Sequence, residues 1–202
     1  MDQCEGVRLH SPVNPLIRLF PNLVRAVVAN LERIFQENSY ADKVIEQTLR
    51  SNPRWGARDR AFIAEHTYDI VRWYRRYYEI LGRPPKETAD WWMLFAVHWT
   101  LQQQPLPDWI EWAGADPAAW RQKAQRLDRE RKIAESIPDW LDGLGAAELA
   151  HVWPATLHAL NQPAQLVIRA NRLKIPRREL QDQLAAEQIA TQAIGAGDAL
   201  IL

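Results

Sequence analysis

Apolar residues recur at three- and four-residue spacing through most of the chain and give way to strand-like runs only near its end. After Pro21, the positions Leu23, Val24, Val27, Val28, Leu31 and Phe35 trace one face of an amphipathic helix. Tyr40 to Leu49 reads as a second, short helix, broken by Ser51-Asn52-Pro53. A third helix is predicted from Ala57 to Leu81. Its apolar stripe is Ile63, Thr67, Ile70, Tyr74, Tyr77 and Leu81, and Arg58, Glu65, Asp69, Arg72 and Arg76 lie on the other side. Gly82, with Pro84-Pro85 beyond it, supplies the stop. Thr88 can cap a fourth, apolar helix holding Trp91, Trp92, Phe95, Val97 and Trp99, which Gln104-Pro105-Leu106-Pro107 ends. Asp116 followed by Pro117 at the first helical position opens another, to about Ala134. Ile137 to Leu141 begins a short helix, and Ala146 to Leu160 is a last one interrupted near Pro154.

From Gln165 the pattern changes. Gln165 to Leu173 reads as a strand, Pro176 starts a helix with Leu180 and Leu184 on one face, and Gln188 to Ile194 reads as a second strand. Gly195-Ala196-Gly197-Asp198 is a turn into a third strand, Ala199 to Leu202. The expected fold class is mainly α: a helical bundle over residues 1–136, then a small, incomplete β-α-β-β (α+β) subdomain over residues 137–202. So short a sheet with open edges is expected to continue in a longer polypeptide.

Composition narrows the class further. With 202 residues, 47% of them hydrophobic and 25% charged, the chain can bury a core as an ordinary globular protein does. Ten tryptophans assign much of that core to aromatic packing. The single cysteine, Cys4, excludes an internal disulfide and a multi-cysteine metal site and fits a reducing cytoplasm. No apolar run approaches the roughly 20 residues of a membrane span, and MDQCEGVRLH is not a signal peptide. The expectation is therefore a soluble cytoplasmic protein with no membrane partner.

A net charge of zero conceals blocks. Residues 50–86 carry nine basic against four acidic side chains, residues 87–120 carry five acids and no Lys or Arg, and residues 121–135 carry six bases against three acids. The basic blocks suit an anionic polymer, or equally a set of solvated helix faces partly paired with the acidic block.

Candidate chemistry is sparse. Gly195-Ala196-Gly197 leads into a strand and lacks the third glycine of a dinucleotide loop. His10, His66, His98, His151 and His158 lack metal-ligand spacing, and His66, at the edge of the apolar stripe, reads as a hydrogen-bonded core histidine. Asp139 and Asp142 read as acids at a helix start, and nothing near Cys4 would activate it. No catalytic residue and no metal site are expected. In Arg58-Asp59-Arg60, Asp59 and Arg60 are expected to form an ion pair that fastens the helix to its neighbours. Arg58, Arg72 and Arg76 are left facing outward and, with Arg75, make a candidate phosphate-gripping patch. Trp91, Trp92 and Trp99 sit in the acidic block, where packing is a better use for them than stacking on bases.

The stretch ADKVIEQTLRSNPRWGARDRAFIAEHTYDIVRW resembles the N-terminal helical region of the Sun/Fmu family of RNA cytosine-5 methyltransferases, in which a similar ARDR-F-I motif opens a long helix. That region is similar in fold to the antitermination factor NusB, a helical RNA- and protein-binding module. PDWL at 138–141 and ALNQPAQLVIRANRLKIPRREL at 159–180 resemble the family's PxWL and LN-PAPL-LRVNTLK motifs, although Ala170 and Arg172 replace the usual Val and Thr. Those motifs open a small, RNA-recognition-like subdomain ahead of a methyltransferase domain. The resemblance implies a NusB-like domain over 1–136 and the start of that subdomain over 137–202. Neither the family's Pro-Cys motif nor its S-adenosylmethionine loop occurs here, so no cofactor is expected in this chain. The implied role is noncatalytic: to bind and position RNA, presumed ribosomal, for a catalytic domain that uses S-adenosylmethionine. The implied contacts are Arg58, Asp59, Arg60, Arg169, Asn171 and Lys174, with Arg172, Arg177 and Arg178 adding phosphate contacts. The alternative is a NusB-like protein-interaction module whose docking face is the tryptophan-rich fourth helix.

Overall fold

Helix ends in this chain are set by identifiable residues, and the computed structural model shows which ones. It describes residues 18–195 and 197–202, so that Cys4 and His10 lie outside the described residues. The chain separates into two compact units, one up to Pro154 and one from Ala155 to Leu202.

In the first unit α1 (Pro21–Gln36) begins with proline at its first position, where a missing N–H costs nothing, and buries Leu23, Val24, Val27, Val28, Leu31 and Ile34. α2 (Ala41–Ser51) buries Val44 and Ile45, and both helices pack on α3 (Ala57–Arg72). The long helix expected from Ala57 to Leu81 is in fact two. Trp73, at φ −98° and ψ 18°, separates α3 from α4 (Tyr74–Leu81). No proline or glycine marks the place, and the Trp73 N–H still reaches the Asp69 carbonyl at 2.9 Å, so this is a bend that keeps Tyr77 and Ile80 buried. Gly82 then ends α4 at φ 101°, a left-handed conformation that glycine takes without a side-chain penalty.

α5 (Thr88–Leu101) is the centre of the unit and packs against α1, α4 and α6 (Pro117–Leu127). It is apolar all round, as a helix enclosed on every side must be, and buries Trp91, Trp92, Leu94, Phe95, Val97 and Trp99. Its cap is Asp90 rather than Thr88. The Asp90 carboxylate accepts the N–H groups of Lys86 at 3.0 Å and Glu87 at 3.2 Å. Phe95 stacks on Trp99 and Trp112, and Trp112 on Trp109 with centroids 4.6 Å apart. The Trp112 indole N–H donates to the Trp92 carbonyl at 2.9 Å. These tryptophans are core, which corrects the view of this helix as a docking face.

Asp116 caps α6 as its sequence requires, accepting the Ala119 N–H at 2.9 Å. α6 stops at Leu127, however, and a turn leads to the short α7 (Arg131–Ala134). α8 (Asp139–Leu149) runs unbroken through Gly143 and Gly145, where two separate helices are predicted. The break comes later, as a tight 3-10 turn at Ala150–Val152, and α9 (Trp153–Asn161) follows. Pro154 is therefore in the first turn of a helix, where proline is tolerated, and interrupts nothing.

The second unit contains β1 (Val167–Arg169), α10 (Arg177–Ala186), β2 (Gln192–Ile194) and β3 (Ala199–Ile201). The expected β-α-β-β order holds, but each strand has only three residues. The first is cut short because the Asn171 side chain accepts the Leu173 N–H at 3.1 Å and the Asn171 carbonyl accepts that of Lys174 at 2.8 Å, which turns the backbone out of the ladder. The sheet is antiparallel in the order β1-β3-β2, with Ile168, Leu200 and Ala193 in register. Leu200 is fully buried, and α10 packs on β3. The Ala170 N–H donates to the Asp198 carbonyl and the Leu202 N–H to that of Leu166, so even-numbered residues of β1 turn their backbone groups inward. By alternation, the N–H and C=O groups of Val167 and Arg169 face the open side of β1.

Candidate functional site

The basic residues separate into those the fold has used and those it leaves at the surface. Arg75 and Arg76, at the start of α4, are mostly buried. Arg75 donates to the Ile137 carbonyl at 2.6 Å and pairs with Asp139 at 2.7 Å. Arg76 pairs with Asp128 at 2.6 Å and donates to the Ala134 carbonyl at 3.2 Å. Side by side they hold α4 to the segment from Asp128 to Asp139. The expectation that Arg76 faces outward is thereby corrected, and Arg75 is committed in the same way. The reason is physical: on a short helix flanked by carbonyl-terminated turns, a guanidinium fork satisfies an orphan C=O and a carboxylate together.

Nearby, Arg131 grips Asp142 through two bonds of 2.7 and 3.1 Å, and the Trp153 indole N–H donates to the same carboxylate at 2.9 Å. The bonds from Arg131 hold the Asp142 carboxyl below the usual carboxylate range. Asp139, bonded by Arg75 and Lys132, is lowered in the same sense. The two aspartates are thus each neutralised by their own bases, as acids at a helix start and not as a catalytic pair.

Arg58 and Arg72 are exposed. Arg72 lies over the Trp73 ring at 5.8 Å. Asp59 and Arg60 are structural, as expected, but the ion pair between them is not formed. Asp59 accepts the Gly56 N–H at 3.2 Å at the start of α3, and Arg60 donates to the Trp55 carbonyl at 3.1 Å. Both serve the local turn. In the second unit Arg169, Asn171 and Lys174 are all exposed on β1 and the turn after it, with Arg178 exposed at the start of α10. Arg172 and Arg177 are partly spent. Arg172 pairs with Asp198 at 2.6 Å and Arg177 donates to the Gly195 carbonyl at 3.0 Å, both closing the turn between β2 and β3.

His66 is a core histidine, as predicted. Its Nδ1 lies 2.9 Å from His98 Nε2, and His98 Nδ1 lies 3.0 Å from the Tyr77 hydroxyl. Burial lowers the His66 pKa to about 4, and burial and the facing His66 push His98 well below its ordinary value. Two neutral imidazoles joined to a phenol form a satisfied polar chain inside the bundle. Two features escaped the sequence reading: this pairing across α3, α4 and α5, and the exposed Trp140 of the PDWL motif.

One variant separates structural from surface arginines. Arg76→Glu should cost about 1–3 kcal/mol, because it sets a carboxylate against Asp128 and strips the Ala134 carbonyl of its donor. Arg58→Glu should stay within about 0.5 kcal/mol. Urea unfolding midpoints read both. Equal midpoints for the two variants would remove Arg76 from the frame.

The fold defines a mainly helical protein that ends in a β-α-β-β unit of the split β-α-β type. The more particular assignment comes from comparison with protein families. Residues 137–202 match the family model described as Methyltr_RsmF/B-like, ferredoxin-like domain, which supports the Sun/Fmu resemblance over the C-terminal third of the chain. Among curated proteins, none matches the sequence. Among the described residues no helix is long and apolar enough to cross a membrane.

Proposed function

We propose that this chain binds and positions RNA as the noncatalytic N-terminal part of an S-adenosylmethionine-dependent RNA cytosine-C5 methyltransferase, with ribosomal RNA as substrate. The observation that carries the reading is the exposure of Arg169 and Lys174, two cations without a side-chain partner among the described residues, inside the family-matched segment. Asn171 beside them has its side-chain oxygen occupied by the turn but remains exposed. Arg58 and Arg72 supply cations on the helical unit, which this reading takes as the NusB-like module. Arg75 and Arg76 hold α4, the helix that follows Arg72, to the segment from Asp128 to Asp139 and are removed from the list of direct contacts.

Fluorescence anisotropy with a structured ribosomal RNA fragment tests it. Affinity should fall log-linearly with salt, by about 0.7–0.9 in slope for each phosphate contacted. Arg169→Glu combined with Lys174→Glu should weaken binding at least about tenfold and flatten that slope. Salt-independent binding, or no binding, refutes the proposal. S-adenosylmethionine should give no calorimetric signal with this chain, and saturable heat would place a cofactor site within it. The rival reading, a protein-interaction module, needs a face other than α5, whose tryptophans are enclosed.

A further inference from the structure

Nine of the ten tryptophans are buried or half-buried, while Trp140 is 68% exposed. It is among the residues that line an open groove of about 690 Å³ within the helical unit. Phe35, Tyr74, Tyr78 and Trp140 supply the groove's rings, and Arg72 and Arg75 its cations. Phe35 and Tyr74 stack with centroids 3.9 Å apart and form a rigid aromatic wall. The position of Trp140 is fixed from behind, since Arg75 holds both the Ile137 carbonyl and Asp139, the residues that bracket Pro138 at the start of α8. The carboxylate of Asp139, which also lines the groove, is offset by Arg75 and by Lys132 at 3.2 Å. The Arg75 Nε–H, in the same lining, is buried without an acceptor among the described residues.

We propose that this groove stacks an unpaired base of single-stranded RNA between Trp140 and Tyr78, with the Arg72 guanidinium at its rim meeting the adjacent phosphate. The inference rests on the RNA-binding reading and extends it by putting a base contact on the helical unit. Aromatic faces are what bases of any identity stack on, and a guanidinium beside them supplies the electrostatic half of such a site. Val71, Ile137 and Pro138 also line the groove and would suit an apolar peptide, but four aromatic rings with the Arg72 guanidinium among them favour a base beside a phosphate. Leu144, half-exposed one turn beyond Trp140, is the residue such a peptide would also use.

The full chain is mixed with a short single-stranded oligouridylate carrying 4-thiouridine, irradiated, and mapped by mass spectrometry. Crosslinks should fall on Trp140 or Tyr78. Trp140→Ala should weaken binding about 5- to 150-fold, the equivalent of the ~1–3 kcal/mol that one stacked base contributes. Leu144→Ala should leave affinity unchanged, and both variants should melt like the parent because both side chains are exposed. Crosslinks confined to residues 169–178, with Trp140→Ala silent, refute the groove and leave RNA binding standing. An oligonucleotide that neither binds nor crosslinks, when structured RNA does bind, refutes it too; failure with both RNAs refutes the function as well. Self-association abolished by Trp140→Ala would make the groove a contact between copies and refute the proposal.

Discussion

Acidification from pH 6.5 towards pH 4 should destabilise this protein steeply. His66 keeps its imidazole neutral down to about pH 4 in the folded state, against 6.5 when it is free. The folded pKa is depressed, so between those values the unfolded chain binds the extra proton and stability falls as the pH falls. Above pH 6.5 both states are neutral and the contribution is complete; below about 4 it is gone. His66 alone then accounts for on the order of 3 kcal/mol across the window, and His98 acts in the same direction. The paired aspartates have pKa values below the ordinary 3.8, so their losses come at lower pH. Urea midpoints taken between pH 7.5 and 4.5 should decline continuously below 6.5. His66→Gln, which can still bond His98 but cannot titrate, should flatten the decline. A constant midpoint in the parent would rule out a neutral buried pair.

Two glycines two residues apart in α8 should respond to alanine with opposite signs. Exchanging a helical glycine for alanine usually stabilises by up to about 1 kcal/mol, and Gly143, with open space where a Cβ would stand, should follow that rule. A Cβ on Gly145 would penetrate the Trp153 ring far inside van der Waals contact. That ring cannot easily retreat, since its N–H is bonded to Asp142, which Arg131 holds from the other side. Overpacking of this kind costs about 1–3 kcal/mol and should overcome the helix-propensity gain. Melting temperatures decide it: Gly143→Ala above the parent, Gly145→Ala below. The same sign for both would mean that Trp153 swings away freely.

These predictions indicate how the sequence encodes the molecule. The helices are legible because their information is local. The spacing of Leu23 to Ile34 sets a face, Asp116-Pro117 sets a start and Gly82 sets a stop. The bend at Trp73 is not legible, because the apolar stripe continues through it to Tyr77 and no breaker residue marks it. The fate of Arg75 and Arg76 is illegible for another reason. Their partners lie 52 to 64 residues away in sequence at Asp128 and Asp139, and only folding reveals which side of α4 those carboxylates meet. Asp59 shows the intermediate case. It is recognisably structural, but its oxygen prefers the free Gly56 N–H to a neighbouring guanidinium, since an orphan helix donor has nothing else to bond. The family is carried by motifs, whereas the candidate contacts depend on exposure, which periodicity ranks only coarsely.

The unpaired side of β1 gives Arg169 a second occupation. Val167 and Arg169 present two donor–acceptor pairs to any extended peptide that comes alongside, and Val167 and Leu166 add apolar surface. Such a margin is a template for aggregation, and a charged side chain on it is how a sheet discourages unwanted company. Arg169 thus guards the seam, so replacing it with a neutral residue should favour stickiness between molecules.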